Sequence, residues 1–97
     1  MIYHVVTRAE WDKAQEQGYH EPPSLVLEGF IHASGDSQVA GVLDRYYQGQ
    51  QDLLLLHINE EKLAPEWKYE QSASANEVFP HIFGRLNLDA VEKVTEI

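Results

Sequence analysis

The feature that most restricts the fold is a continuous apolar run, Leu53-Leu54-Leu55-Leu56-His57-Ile58. Leucine occurs in helices as well as in strands, but this run has the length of a strand. A strand that is apolar at nearly every position is typical of the middle of a sheet, where both faces are covered. We therefore predict a central strand over 53–58, with the rest of the chain arranged around it.

Two helices are predicted before this strand. Thr7 and Glu10 have the spacing of a capping box, so a helix is expected from Arg8 to Gln17, and Gly18 is expected to end it. The second helix is indicated by an apolar stripe at spacings of three and four, and Gly49 is expected to end it. The residues of this stripe are Val39, Val42, Leu43, Tyr46 and Tyr47.

The remaining segments predict mainly strands and turns. Aromatic, β-branched or alternating residues predict strands at 2–6, 66–71, 78–83 and 90–97. The segments between them predict a connector at 19–23, a helical turn at 25–28, and turns or loops at 59–63, 72–76 and 84–89. Pro80 has no N–H, so its strand is expected at a sheet edge or a bulge. The sequence therefore predicts one α+β domain over residues 1–97, with a mixed, largely antiparallel sheet and two main helices.

Charge and composition limit the classes of partner. The chain has 97 residues, with 16 acidic and 7 basic side chains and a formal net charge of -9. Because nucleic-acid binding normally uses a basic patch, we expect no nucleic-acid partner. We expect a small-molecule ligand instead, and the sequence leaves the oligomeric state open.

Targeting signals and cysteines are also absent from the sequence. No apolar segment approaches the roughly 20 residues that a membrane span needs. The N-terminus has no basic segment followed by an apolar core, so no signal peptide is predicted. The chain has no cysteine, which excludes disulfides and thiol chemistry and fits a reducing compartment. We expect a cytoplasmic protein with no membrane partner.

Three histidines lie in short apolar segments: His4, His32 and His81. A single histidine in such a segment is usually a packed structural residue. Three of them raise the expectation of a shared pocket, in which imidazole binds a ligand or transfers protons. No local pair has the spacing of a histidine metal site, so no metal is predicted. His20 and His57 receive no functional role.

Further candidate residues surround these histidines. Ser34 follows His32 at a predicted strand-to-helix junction, where it either caps the helix or binds a ligand together with free backbone N–H groups. Glu77 precedes the strand of His81, where a carboxylate either is solvated or acts as a base. Tyr3 and Phe83 are candidates for stacking on a ligand ring, and Arg85 for binding an anion.

The chain resembles the domain-of-unknown-function 952 family. The resemblance is carried by Ile2-Tyr3-His4 with Trp11, Pro23-Ser24-Leu25, Gly29-Phe30-Ile31-His32-Ala33-Ser34, the strand at 53–58, and Glu77 with Phe79-Pro80-His81-Ile82-Phe83-Gly84. Members of this family often have cysteine before the serine of the second block. Ala33 stands at that position here, so a thiol role is excluded.

At the level of fold grouping, this family is similar to the ADP-ribosyltransferase superfamily. The resemblance implies an ADP-ribosyltransferase-like fold, an NAD or nucleotide ligand, and transfer or hydrolysis of its ribosyl group. It implies that His4 binds a ribose hydroxyl and nicotinamide, and that Glu77 holds the ribose 2′-hydroxyl and stabilises an oxocarbenium-like state. His32 and Ser34 fall in the region of the second motif, and His81 completes the predicted catalytic set.

Two functions lead from the sequence, and a histidine-ligated metal protein is a third alternative. The first is an ADP-ribosyltransferase-like transferase or glycohydrolase whose catalytic residues are His4, His32, Glu77 and His81. The second is a non-catalytic ligand-binding or interaction module in which the histidines are structural. The catalytic function requires His4, His32 and His81 to meet in one concave pocket, whereas the non-catalytic function does not.

Overall fold

The computed structural model describes residues 1–72 and 76–97, within which it has three helices and eight strands. The helices are α1 (Arg8–Gln17), α2 (Pro23–Glu28) and α3 (Val39–Tyr46). The strands are β1 (Ile2–Thr7), β2 (Tyr19–His20), β3 (Ile31–His32), β4 (Leu53–Ile58), β5 (Trp67–Gln71), β6 (Val78–Ile82), β7 (Leu86–Asn87) and β8 (Val91–Glu96). Part of the loop predicted at 72–76, residues 73–75, lies outside the described residues.

The apolar run forms β4, which lies between β1 and β8 in an antiparallel three-stranded sheet. The prediction of a central strand is confirmed. Leu54, Leu56 and Ile58 are buried in the hydrophobic core, whereas Leu55 and His57 are only half-buried. Because side chains alternate along a strand, this sheet is covered more completely on one face than on the other.

A second antiparallel sheet places β6 between β3 and β5. The prediction that Pro80 keeps its strand at an edge or a bulge is therefore wrong. Strand β3 is only two residues long, and after it the Ala33 N–H donates to the Pro80 carbonyl over 3.0 Å. Pro80 therefore stands where β3 ends. Its missing N–H removes a hydrogen bond only at the end of the β3–β6 ladder, and β6 keeps the rest of that ladder.

Beyond β3 the chain pairs with the first sheet. The Ser34 N–H donates to the Tyr3 carbonyl over 2.7 Å, and the Tyr3 N–H donates to the Ser34 carbonyl over 2.8 Å. Ser34 is therefore not a helix cap, since the next helical turn begins at Asp36. This bridge joins the two sheets and brings β1 alongside the end of β3.

The capping box of α1 is confirmed. The Thr7 hydroxyl accepts from the Glu10 N–H over 3.1 Å, and the Glu10 carboxylate accepts from the Thr7 N–H over 2.8 Å. Gly18 ends the helix in the left-handed conformation, with φ of 91°. Helix α3 ends at Tyr46, before the predicted end at Gly49.

Strands β2 and β7 form a third, two-stranded antiparallel sheet. The sequence predicted only a connector and a turn at these positions, because a two-residue strand has no periodic pattern to detect. The pairing buries His20, which then reaches the site described below. All strand pairings among the described residues are antiparallel, and the architecture is α+β.

The hydrophobic core lies between these elements. Its fully buried large side chains come from five strands: Ile2, Val6, Ile31, Leu56, Ile58, Ile82 and Leu86. Trp11 of α1 packs against the core from one side, as its place on the apolar side of that helix predicted. No helix in the described part of the chain is long and apolar enough to cross a membrane.

Candidate functional site: a cleft with paired histidines

A cleft of about 430 Å³ opens where β1, β3 and β6 meet α3. Its polar lining consists of His4, Glu28, His32, Ser34, Ser72 and His81. Its apolar and aromatic lining consists of Val5, Ala33, Val42, Tyr46, Tyr47 and Phe79. A second concavity shares Glu28, His32, Ser72 and His81 with it and adds Phe30, Glu70 and Gln71, so the two are lobes of one surface.

His32 and His81 form the centre of this surface. They lie directly opposite each other in the antiparallel pairing of β3 with β6, and their ring centroids are 5.6 Å apart. The side chain of His32 is 53% exposed, whereas that of His81 is 7% exposed. The strand register therefore fixes two imidazoles side by side, one facing solvent and one buried behind it.

Each of these imidazoles has a carboxylate partner. The His32 Nε2 lies 3.0 Å from the Glu28 carboxylate, at the end of α2. The His81 Nδ1 lies 2.9 Å from the Glu70 carboxylate on β5. Because an ionised carboxylate only accepts hydrogen bonds, the partnered nitrogen of each ring carries a proton. Each carboxylate thereby fixes the tautomer and orientation of its histidine.

Phe30 holds the buried histidine from a third direction. Its ring stacks on the His81 ring with centroids 3.9 Å apart and planes at 13°. The same ring meets His32 at 4.7 Å in an edge-on arrangement. Phe30 therefore restricts both imidazoles to one relative geometry, and a defined geometry is what proton transfer requires.

His4 is buried beneath this pair, and both of its ring nitrogens bind the protein. Its Nδ1–H donates to the His32 carbonyl over 2.6 Å, since a carbonyl oxygen only accepts. Its Nε2 lies 3.1 Å from the His20 Nε2, and it accepts the hydrogen that His20 donates. Burial and the neighbouring His20 lower the pKa of His4 to about 3, so the ring is neutral near pH 7. His4 thus supports the backbone of His32 from below.

Ser34 lines the cleft as a predicted ligand-binding residue, although its backbone is held by Tyr3. Tyr3 itself does not line the cleft; its ring packs edge-on against His57 with centroids 5.0 Å apart. Four of the eight predicted site residues, His4, His32, Ser34 and His81, therefore meet at the cleft. Their roles in catalysis and ligand binding stay predictions.

The other predicted residues lie away from the cleft lining. Glu77 binds Gln38 over 3.2 Å and Arg45 over 3.4 Å. Phe83 lies 6.1 Å from the Phe30 ring. Arg85 pairs with Glu21 over 3.1 Å. With Tyr3, these residues do not reach the cleft, and their predicted roles stay predictions.

Sequence reasoning did not single out Glu28, Glu70, Phe30 or His20. Glu28 stands four residues before His32, a spacing visible in the sequence, but the two are separated by the turn at Gly29 and not by a helix. Glu70 is a diagonal neighbour of His81 across the β5–β6 pair, which only the strand register reveals. Only the Glu28–His32 spacing offered a signal before the structure.

A metal centre finds no support in the described ranges, 1–72 and 76–97. No group of three or more histidine and carboxylate side chains lies close enough together there to hold a metal ion. The paired arrangement of one carboxylate to one histidine differs from the convergent ligands that metal sites need.

Solved structures resemble the whole chain. The crystal structure of protein CC0527 from Caulobacter crescentus is 33% identical with a TM-score of 0.88, and the match covers 98% of this chain and 83% of that one. The solution NMR structure of CC0527 is 29% identical with a TM-score of 0.77, covering 99% of this chain and 83% of that one. No curated protein matches the chain.

The family comparison covers most of the site as well as the fold. The model of the family described as "Protein of unknown function (DUF952)" matches residues 5–94. That range contains β3 and β6 with their paired histidines and both carboxylate partners, and it confirms the resemblance noted from the sequence blocks. The chain belongs to the DUF952 family.

Proposed function

We propose that the cleft binds a small nucleoside- or nucleotide-like ligand, and that His32 and His81 transfer protons to and from it. The observation that carries this proposal is the pair of imidazoles 5.6 Å apart, each held by its own carboxylate, on the wall of a concave surface. Paired titratable groups in a cleft are the usual parts of general acid–base catalysis. Packing alone does not require both carboxylates to face the same cleft.

The two histidines differ in setting, which suits opposite roles. His32 is half-exposed and reaches solvent, so it is placed to take a proton from water. His81 is buried beneath Phe30, so it is placed to donate a proton to a departing group inside the cleft. General acid–base catalysis of this kind contributes about 10²–10⁴-fold to a rate.

The reaction class that fits is cleavage of an N-glycosidic bond, in line with the resemblance to ADP-ribosyltransferases. The oxygen of water bonds to C1′ of the ribose as the C1′–N bond breaks. His32 takes the proton of the water, and His81 supplies a proton to a leaving purine base, which departs with the electron pair of the broken bond. Nicotinamide, which is cationic while bonded to ribose, leaves as a neutral ring and needs only the proton transfer to His32. Glu28 and Glu70 stabilise whichever imidazole is protonated at each stage.

The ribosyltransferase resemblance gives His4 and Glu77 other roles, in ribose binding and in stabilising the oxocarbenium-like state. Both roles stay predictions from that resemblance. His4 lines the cleft, but both of its ring nitrogens already bind His32 and His20, so we propose instead that it positions His32. Glu77 binds Gln38 and Arg45, so Glu28 and Glu70 are the carboxylates beside the reacting bond in this scheme.

Release of a free base tests the proposed chemistry. The full chain is incubated with adenosine, nicotinamide riboside and NAD, and the products are separated by liquid chromatography. Wild type should release base, and His32→Ala and His81→Ala should each release adenine from adenosine about 10²–10⁴-fold more slowly. His57→Gln is the matched control, because His57 lies on β4 beside Tyr3 and outside the cleft, and it should match wild type. Absence of release by wild type, or release at the wild-type rate by His32→Ala and His81→Ala, would contradict the proposal.

The second candidate function is a non-catalytic ligand-binding module. It is favoured by the His4–His20 contact, in which two buried histidines bind each other and the backbone without facing a reacting group. Calorimetric binding of a probe with no release of base would support this module. Release of base that depends on His32 and His81 would exclude it.

A further inference from the structure

We infer that the cleft accepts a ligand without phosphate groups, an uncharged or cationic heteroaromatic molecule of about nucleoside size. This inference rests on the proposed function and names the substrate class for the same site. It departs from the NAD ligand that the ribosyltransferase resemblance implies, because NAD carries a pyrophosphate.

The side chains of the cleft offer no net positive charge. Its two lobes contain the carboxylates of Glu28 and Glu70, and no lysine or arginine lines either lobe within the described residues. Residues 73–75, outside those ranges, have no ionisable side chain. Even with both imidazoles protonated, His32 and His81 only balance the two carboxylates. Sites for phosphate groups are normally built on arginine or lysine.

The arginines of the chain are engaged elsewhere. Arg45 is the one nearest the cleft, with its guanidinium carbon 5.9 Å from the Tyr46 ring centroid, and it pairs with Glu77. Arg8 pairs with Asp52 over 2.8 Å, and Arg85 pairs with Glu21 over 3.1 Å. Lys68 stands opposite His81 in the β5–β6 pair, but its ammonium lies 5.3 Å from the Phe83 ring centroid and it lines neither lobe. A phosphorylated ligand would have to draw Arg45 or Lys68 away from these contacts.

Two backbone N–H groups beside the cleft are already paired within the protein. The two successive donors beside the cleft, those of Ser34 and Gly35, already bind the Tyr3 carbonyl and the Gln38 side chain, over 2.7 Å and 2.9 Å. The helical turn that follows begins with Asp36, whose carboxylate opposes an anion at that end. These two N–H groups are therefore not available to a phosphate group.

What the cleft does offer suits a neutral or cationic ring. Tyr46, Tyr47 and Phe79 provide aromatic surface, on which a heteroaromatic ring stacks and a cationic ring gains a further electrostatic attraction. The carboxylates of Glu28 and Glu70 complement sugar hydroxyls, ring N–H groups or a positive charge. A volume of about 430 Å³ lies near the lower end of small-molecule sites, which span roughly 300–1,000 Å³.

Matched ligands test this inference by titration calorimetry of the full chain. One series is adenosine, adenosine monophosphate and adenosine diphosphate; the other is nicotinamide riboside, its mononucleotide and NAD. In each series we expect the first phosphate to weaken binding at least about tenfold, as one unfavourable charge contact of about 1.4 kcal/mol would. A phosphorylated member that binds as tightly as its nucleoside overturns the inference, and so does failure of both nucleosides to bind.

Charge variants link the effect to the two carboxylates. Glu28→Gln and Glu70→Gln should each reduce the difference in affinity between adenosine and its monophosphate. Glu66→Gln is the matched control, since Glu66 is exposed and lies in neither lobe, and it should keep the full difference. An unchanged difference in both cleft variants contradicts the inference.

Failure of this inference is distinguishable from failure of the proposed function. If nucleotides bind more tightly than nucleosides while base release still depends on His32 and His81, the function stands and the substrate class is wrong. If nucleosides bind more tightly while base release is absent, the substrate class stands and the catalytic function is wrong.

Discussion

At the scale of single residues, the neutral His4–His20 contact explains how the site is supported. A protonated His4 would place a positive charge in a buried position and would lose the hydrogen bond it accepts from His20. The neutral ring instead donates to the His32 carbonyl and holds that strand end in place. The sequence predicted His4 and His32 as site residues but gave His20 no role, since their contact depends on the short β2–β7 pairing.

This contact makes folding stability depend on pH. Burial lowers the pKa of both His4 and His20 in the folded chain, while the unfolded chain keeps them near 6.5. Below pH 6.5 the unfolded state therefore binds more protons than the folded state, and stability is lost as the pH falls toward 3. For each histidine that is protonated in the unfolded chain and neutral in the folded chain, the free energy of unfolding should fall by up to about 1.4 kcal/mol per pH unit.

Urea unfolding between pH 7.5 and 5 measures this effect, in a range where carboxylates with ordinary pKa values stay ionised. His20→Phe, which removes one titrating ring, should flatten the dependence even if it lowers the overall stability. Equal free energies of unfolding for wild type at pH 7.5 and pH 5 would show that the buried pair is not neutral in the folded state.

The carboxylates show where residue-level prediction stops. Histidines in apolar segments are visible in the sequence, because their neighbours are unusual for a polar residue. Glu28 and Glu70 have polar or mixed neighbours and look like solvated acids. Glu70 reaches His81 through the register of β5 with β6, and Glu28 reaches His32 across the turn at Gly29; neither arrangement follows from composition.

At the scale of elements, Pro80 shows how a reliable rule fails. Proline is confined to edges because it removes a ladder hydrogen bond, yet β6 is the middle strand of its sheet. The missing donor falls where the two-residue β3 ends and the chain turns to pair with Tyr3. Whether proline is excluded from a middle strand therefore depends on the length of the neighbouring strand, and the sequence does not reveal that length.

Helix α1 was predicted to its exact bounds because its signals are local. Thr7 and Glu10 form the capping box, and Gly18 ends the helix. Helix α3 was predicted from its apolar stripe but ends earlier than expected, at Tyr46. The position of its end depends on tertiary contacts that periodicity does not contain.

A substitution in the capping box tests whether these local signals stabilise α1. Thr7→Ala removes the hydroxyl that accepts from the Glu10 N–H, and we expect the free energy of unfolding to fall by about 1 kcal/mol. Chemical denaturation followed by circular dichroism measures the change. Thr7→Ser keeps the hydroxyl and should retain most of the stability; if it loses as much as Thr7→Ala, packing and not capping is responsible.

At the scale of the whole molecule, the site exists because two small sheets meet. The Tyr3–Ser34 bridge joins the sheet built on β4 to the sheet built on β6, and the cleft opens along this junction. The α+β class and the central β4 followed from the sequence. The junction did not, since a single-residue bridge has no sequence pattern. The meeting of His4, His32 and His81 was expected, but the way the chain brings them together was not.

The net charge of -9 also acts at this scale. It opposes the long-range approach of polyanions, and the expectation of no nucleic-acid partner stays a prediction. The cleft has no excess of positive charge either, because its lining contains the carboxylates of Glu28 and Glu70 and no lysine or arginine among the described residues. A phosphate-free ligand is therefore consistent with the field of the molecule as well as with the local lining.

A double-mutant cycle on base release tests the central claim, that His32 and His81 act as one acid–base pair, most directly. Rates of base release from adenosine are compared for wild type, His32→Ala, His81→Ala and the variant with both substitutions, after circular dichroism has shown that each is folded. Because residues that act as a unit are not additive, the double variant should be about as slow as the slower single variant, with each single variant about 10²–10⁴-fold below wild type. A double variant whose loss is the product of the two single losses would mean that the histidines act independently. Single variants as fast as wild type would contradict the claim outright.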